Sequence, residues 1–251
     1  MFGKRARLGF LVPPGNPTME PEMAMLALPG VTQHFTRMYA SGVTGSLGGQ
    51  EERNREQIAH VEEDVARLAQ VKPRVIVLGH TATSYTLGRE GEAELTARIT
   101  KQHDIPFTTA FASVVAALEH LGVKRVAYAA PYDEANTLLG KKHLEGFGFE
   151  VPSFGNLRDV TNIYDETPER AYGLARSVDV PEAQAVFLSG VGMPTLAAIE
   201  RLEDDLGKPV VSSASAMMWN ALRIAGINDS IHGYGRLLLA SGIGVNRRSL
   251  K

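Results

Sequence analysis

Two stretches of this chain repeat one pattern, and a repeated strand–helix–strand–helix unit leaves few folds open. The first couples RVIVLGHTAT (residues 74–83) to IPFTTAFASVVAALEHLG (residues 105–122); the second couples AVFLSGVGMPT (residues 185–195) to KPVVSSASAMMWNALRIAG (residues 208–226). In each, a short apolar strand ends in a small or polar turn and a helix follows. An X-Pro strand then passes through small hydroxyl residues into a second helix closed by Gly. Short apolar strands alternating with helices imply parallel sheets covered on both faces. The expected fold is therefore α/β, with two pseudo-symmetric, doubly wound parallel-sheet halves and the active cleft between them at the carboxyl ends of the strands. Matching the two copies sets His80 opposite Gly190. If a pseudo-two-fold axis relates the halves, these positions flank one pocket, and only the histidine can do proton chemistry.

The rest of the chain reads in the same alternation. Strands are expected at 8–12, 31–39, 74–79, 107–109, 125–130, 150–154, 186–189 and 210–211. Helices are expected from an N-cap at Thr18, and over 50–70, 90–103, 113–121, 131–146 (after a turn), 167–177, 195–206 and 215–225. The helix over 50–70 carries Ile58, Val61, Val65 and Leu68 on one stripe. These elements divide the chain into an N-terminal α/β half (1–120, its last helix crossing over), a second α/β half (121–225) and a closing segment (226–251). The segment GYGR (233–236) is read as a structural closing element. The apolar helix around 214–222 suits either the core or a homo-oligomer interface.

Composition narrows the partner. A chain of 251 residues buries a proper core without staples. Lys and Arg number 26 against 28 Asp and Glu, a net charge of −2, which gives no electrostatic case for nucleic acid or an anionic membrane. A small molecule is the expected partner. Cysteine is absent, which removes disulfides, thiolate nucleophiles and cysteine zinc sites together. No signal-type apolar region and no run of eighteen apolar residues is present, so a cytoplasmic location is expected. The histidines His34, His60, His103, His120, His143 and His232 show no metal spacing, and no metal is expected. Gly42, Gly45 and Gly48 sit in a flexible loop with the wrong spacing for a dinucleotide motif, and no Walker lysine follows.

Several segments together resemble the aspartate/glutamate racemase superfamily, in the branch of maleate cis-trans isomerases and arylmalonate decarboxylases. They are GFLVPPGNPTME (9–20), LGHTATS (78–84), RVAYAAPYDEAN (125–136), LSGVGMPTL (188–196), PVVSSAS (209–215) and GYGRL (233–237), spread over nearly the whole chain in the expected order. The resemblance implies a cofactor-free enzyme with two acid/base positions, usually cysteines, at pseudo-symmetric strand ends facing a small carboxylate. Those positions fall here on His80 and Gly190, so both customary thiols are missing.

His80 follows a strand directly and opens a hydroxyl-rich turn whose N–H groups suit an anion. Imidazole titrates near neutrality and can act as acid or base without a metal; the plain alternative is a helix-capping histidine. Thr81 begins that turn. Asn16, in a Pro-rich loop, can hold a substrate carboxylate or simply build the turn. By the resemblance, Tyr132 falls on a carboxylate-contacting tyrosine; its alternative is a strand-end aromatic. Asn162 aligns loosely with a substrate-binding position. Ser189, Gly190, Val191 and Gly192 form a turn with bare N–H groups that suits a carboxylate or oxyanion. Thr195, Ser212 and Ser213 are secondary candidates that also serve as caps.

The expected function is a cofactor-independent enzyme acting next to the carboxylate of a small organic acid. One histidine acid/base suits a decarboxylase, hydro-lyase or hydrolase better than two-base racemisation. A maleate-isomerase-like isomerase or racemase is the first alternative. A carboxylate-binding protein that has lost catalysis is the second.

Overall fold

The computed structural model describes residues 2–239. In chain order its strands and α-helices are β1 (Ala6–Val12), α1 (Met19–Met25), β2 (Val31–Arg37), α2 (Gln50–Ala69), β3 (Val75–Leu78), α3 (Thr81–His103), β4 (Phe107–Thr109) and α4 (Ala110–His120). They continue as β5 (Val126–Ala130), α5 (Glu134–Gly146), β6 (Phe154–Asn156), α6 (Pro168–Val178), β7 (Ala185–Leu188), α7 (Leu196–Leu206), β8 (Val210–Ser212) and α8 (Ser213–Ile224). The strands form two four-stranded sheets ordered β2-β1-β3-β4 and β6-β5-β7-β8, with every pairing parallel. Adding four to each label of the first sheet gives the second. The repeat visible in the sequence thus extends to the whole of each half.

Local chemistry repeats with the topology. β3 and β7 end two residues before His80 and Gly190 respectively. Thr109 and Ser212 cap α4 and α8 in the same way, each accepting the N–H three residues on, from Ala112 and Ser215. The inner strands β3, β5 and β7 are wholly buried, as runs of Val, Ile, Leu, Ala and aromatics between helical layers should be, while β2 and β6 lie at the edges and are more exposed.

The halves meet where α4 packs along α8, so that two equivalent helices face one another as a local two-fold axis would place them. Asn220 on α8 donates to the Ser113 hydroxyl on α4 at 3.1 Å, and Thr81 at the start of α3 donates to Ser213 at the start of α8 at 3.0 Å. The apolar residues of α8, open to either role from sequence, are spent on this core: Ala214, Met217, Met218, Trp219 and Leu222 are all buried.

Some expected boundaries move for identifiable reasons. The helix expected over 90–103 starts already at Thr81, with a break at Gly88 (φ 67°, ψ 172°), a conformation glycine adopts without cost. The strand expected over 150–154 lies instead at Phe154–Asn156; Pro152 has no N–H for the ladder, and Glu150 keeps only an isolated bridge to Arg125. Thr18 stands at the N-cap of α1, yet its own side chain does not cap. In the closing segment, Arg236 donates its N–H to Glu203 at 2.9 Å, and Leu237 and Leu238 are buried; residues 240–251 of that segment lie outside the described residues.

One carboxylate joins the halves at a single atom. Glu22 of α1 accepts the N–H groups of Thr195 (2.5 Å) and Leu196 (2.7 Å), and so caps α7, a helix of the other half. Its second oxygen is buried without a partner. Burial raises the Glu22 carboxyl from 4.5 to about 7, against the lowering effect of the Leu196 and Thr195 hydrogen bonds. Between those values the folded state holds a proton that the unfolded chain releases, so the contribution of Glu22 to stability falls as pH rises through this window. Wild type should therefore lose ground to Glu22→Gln by up to roughly 3 kcal/mol between about pH 5 and about pH 8. Paired denaturant titrations measure this, and parallel pH curves for the two proteins would contradict it.

Candidate active site

His80 is placed by the end of β3. The Gly79 N–H donates to the Leu11 carbonyl at 2.9 Å, and a side chain at Gly79 would run into that carbonyl and Met19, so the strand end is pinned. The next residue turns out in extended conformation (φ −145°, ψ 103°) as the N-cap of α3, but the imidazole does not cap the helix. Its Nδ1 lies 2.7 Å from the Thr83 hydroxyl, leaving Nε2 without a protein partner among the described residues. The half-buried ring faces the pocket yet is surrounded by protein. Desolvation, aided by the nearby Arg53 guanidinium, pushes His80 from 6.5 down to about 4, so it is neutral at neutral pH.

The pocket that His80 lines opens to solvent, and about 350 Å³ of space, open solvent included, lies between its walls. One wall is the loop over 44–47, another the polar side chains of Gln50, Arg53, Asn54 and Gln57 on α2, and a third is Ile163 and Tyr164. Arg53 donates to the carbonyls of Ser46 (2.5 Å) and Gly48 (2.7 Å), bracing the loop. Tyr164 is pushed up to about 12, by desolvation first. Among the lining side chains His80 is the one whose ordinary value lies near neutrality, although the free site lowers it to about 4, and no carboxylate among the described residues lines the pocket.

The second half contributes the turn after β7. The N–H groups of Gly190, Val191 and Gly192 donate to no acceptor among the described residues, while the carbonyls of Val191 and Gly192 accept from Asn16 (3.1 Å) and Thr18 (2.9 Å). Gly190 has φ +89°, and a Cβ built there would lie 3.0 Å from Pro131 and 3.2 Å from the Tyr132 hydroxyl. Tyr132 is buried, with its hydroxyl close to Ser189 and Thr81; burial, first of all, pushes its pKa up. The His80 and Gly190 turns therefore approach one tyrosine from opposite halves. The Tyr164 ring stands between the pocket and the glycine turn, close to where side chains at Gly15 and Gly192 would project.

Other sequence candidates hold structural bonds. The Asn16 side-chain Oδ1 accepts from Thr18 N (2.8 Å) and Met19 N (3.0 Å), capping α1 in place of Thr18, and its Nδ2 donates to the Val191 carbonyl, tying the loop to the second half. Ser189 hydrogen-bonds the Tyr85 hydroxyl at 2.9 Å, which also meets Tyr128 at 3.1 Å. Asn162 accepts from Tyr164 N (2.9 Å) and donates to the Thr44 carbonyl (3.3 Å), holding the loop over 44–47. Thr195 is the cap position of α7. Of the other histidines, His143 is buried against Glu92 at 3.5 Å.

The α2 wall was not foreseen from the sequence, though a signal was present. The buried stripe of α2 runs Leu68, Val65, Val61 and then Gln57, Asn54 and Gln50, turning from apolar to polar toward the pocket, while Ile58 lies only half-buried beside it. The glycine-rich loop over 41–49, read as merely flexible, is a pocket wall; the Gly45 carbonyl accepts from Ile163 at 2.9 Å.

Residues 8–238 match the sequence model for arylmalonate decarboxylase. The chain belongs to this family. It is 32% identical over 190 residues to an arylmalonate decarboxylase of Bordetella bronchiseptica, covering 72% of this chain and 77% of the relative. It is 28% identical over 258 residues to a maleate isomerase of Geobacillus stearothermophilus, covering 94% and 98%. Among solved structures, a Nocardia farcinica maleate cis-trans isomerase carrying a cysteine-to-serine exchange and a covalently bound succinylcysteine intermediate superposes with a TM-score of 0.85 at 26% identity, covering 94% of this chain and 99% of that one. Family membership makes the chain an enzyme of isomerase or lyase type in the Asp/Glu racemase superfamily.

The bonds of Asn16 predict a structural cost for its loss. Asn16→Ala should lower stability by about 1–2 kcal/mol through the uncapped helix and the orphaned Val191 carbonyl. Thermal or denaturant unfolding checks it; an unchanged midpoint would mean that these bonds contribute nothing.

Proposed function

We propose that this enzyme acts on the carbon next to a carboxylate of a small organic acid, as a lyase with His80 as its proton-handling residue. The observation that carries this reading is the pocket's chemistry: among the described residues it is lined by one imidazole and by no second side chain of acid or base ordinarily active near neutrality. Racemisation needs proton donors on both faces of the carbon, and elimination needs a base together with an acid for the leaving group. Decarboxylation needs one proton. In an acid with two carboxylates on one carbon, the bond to one of them breaks and CO₂ leaves; the electron pair is delocalised into the remaining carboxylate as an enediolate, and Nε2 of His80 delivers a proton to that carbon before water replaces it. The succinylcysteine of the Nocardia enzyme cannot form in a chain that has no cysteine.

The remaining roles follow from placement. Once the Tyr164 ring, which separates the pocket from the glycine turn, turns aside, bare N–H groups of the Gly190–Gly192 turn and of the α3 start at Thr81, with the Tyr132 hydroxyl, would hold the carboxylate and the charge that develops on it. Asn16 and Asn162 act by holding the walls, and Ser189 and Val191 by fixing Tyr85 and Asn16. The low pKa of the empty site is itself useful. A bound anion supplies the opposite charge that favours imidazolium, so binding loads the proton that the reaction consumes.

His80→Gln should cut turnover by about 10²–10⁴-fold and leave acid binding nearly intact; wild type working in D₂O should place one deuterium on the product carbon. Normal turnover by His80→Gln refutes the assignment. Acids that stabilise wild type without conversion or exchange would instead identify a binding protein.

A second measurement addresses the coupling. The His80 resonance of the free protein should titrate near 4, in keeping with its depressed value, and move upward when a carboxylate binds. Calorimetry at about pH 6 in buffers of different ionisation heat should show proton uptake. Binding without uptake would dissociate His80 from the anion.

A further inference from the structure

The polar wall of α2 has more hydrogen-bonding capacity than the protein uses. Gln50, Asn54 and Gln57 are 8%, 3% and 3% exposed, and each has a buried side-chain oxygen with no partner. All three line the His80 pocket. Leaving a buried polar group unpaired costs about 1–3 kcal/mol, and three on one helix face form a concentration of unmet acceptors. The Asn54 amide cannot flip to relieve this. Its Nδ2 donates to the Ala82 carbonyl (3.3 Å) and contacts the Thr86 hydroxyl (3.0 Å), which leaves Oδ1 as a fixed acceptor. Gln50 and Gln57 leave their Oε1 atoms without a partner among the described residues, and an amide can turn to present oxygen or N–H to a ligand. Arg53, between them on the same face, bonds two carbonyls and no carboxylate among the described residues.

We infer that this wall selects the substrate's substituent, and that the group beyond the reacting carbon is polar, carrying a hydroxyl or a second anionic function rather than an aryl ring. A hydroxyl satisfies the fixed Asn54 oxygen. A second carboxylate meets the Arg53 cation and the reversible amides. An aryl group would bury all of these oxygens and a charge against carbon, at the cost just given for each. The inference rests on the reading of the pocket as a carboxylic-acid site and specifies which acids it takes.

The test uses tartronate (hydroxymalonate) and phenylmalonate with the full-length enzyme, in calorimetry and thermal shift. Tartronate should bind at least about tenfold more tightly than phenylmalonate. Gln57→Met and Gln50→Met keep side-chain volume and remove an unpaired amide, so each should raise the melting temperature while reducing the tartronate preference severalfold. Arg53→Met should lose tartronate affinity as well, but it also frees the loop, so the glutamine variants decide. Phenylmalonate binding as tightly as tartronate overturns the inference, as does Gln57→Met with an unaltered preference. An enzyme that prefers tartronate but converts no acid would refute the catalytic reading and leave this one standing.

Discussion

The packing of α4 along α8 is the contact on which the site depends. These helices are equivalents in the two halves, and each begins directly from the last strand of its sheet. Their contact sets where the two sheets point their carboxyl ends. Three hydrogen-bonded ties then close the same region from different elements: Thr81 to Ser213, Asn16 to Val191, and Glu22 to the start of α7. Each tie runs from the first half to the second. A cleft between two α/β units usually permits hinge motion; here the polar groups that would be stripped bare by opening resist it.

The electrostatics of the site are asymmetric. Arg53 puts a fixed positive charge beside a desolvated imidazole, and no acid in the pocket wall offsets it. The free site consequently rejects a second proton and favours an anion. An anion bound beside His80 would offset the burial and the Arg53 charge that keep the imidazole neutral in the free site.

Much of this was legible in the chain. The repeat was visible because strand length, Pro position and hydroxyl caps recur together around residues 105–113 and 208–216, and those same hydroxyls cap α4 and α8. His80 was visible because it directly follows an apolar strand. The first half of each repeat was not, since β1 and β5 or β2 and β6 share burial rather than sequence. Asn16 is read toward substrate from its amide in a Pro-rich loop and Asn162 from the family resemblance; the backbone partners that both also hold come from distant loops and are not visible in the sequence. The α2 wall was hidden for a different reason: helical periodicity is sought in apolar residues, and the stripe changes to amides where it reaches the pocket.

The glycine after Ser189 limits how this enzyme can be redesigned. Its backbone sits where an ordinary L-residue is strained, with Pro131 and the Tyr132 hydroxyl crowding the direction a side chain would take. Placing a cysteine at that seat is therefore not a one-letter change; the peptide path itself must be rerouted first. Main-chain geometry, and not side-chain identity alone, keeps a reactive group off this end of the cleft.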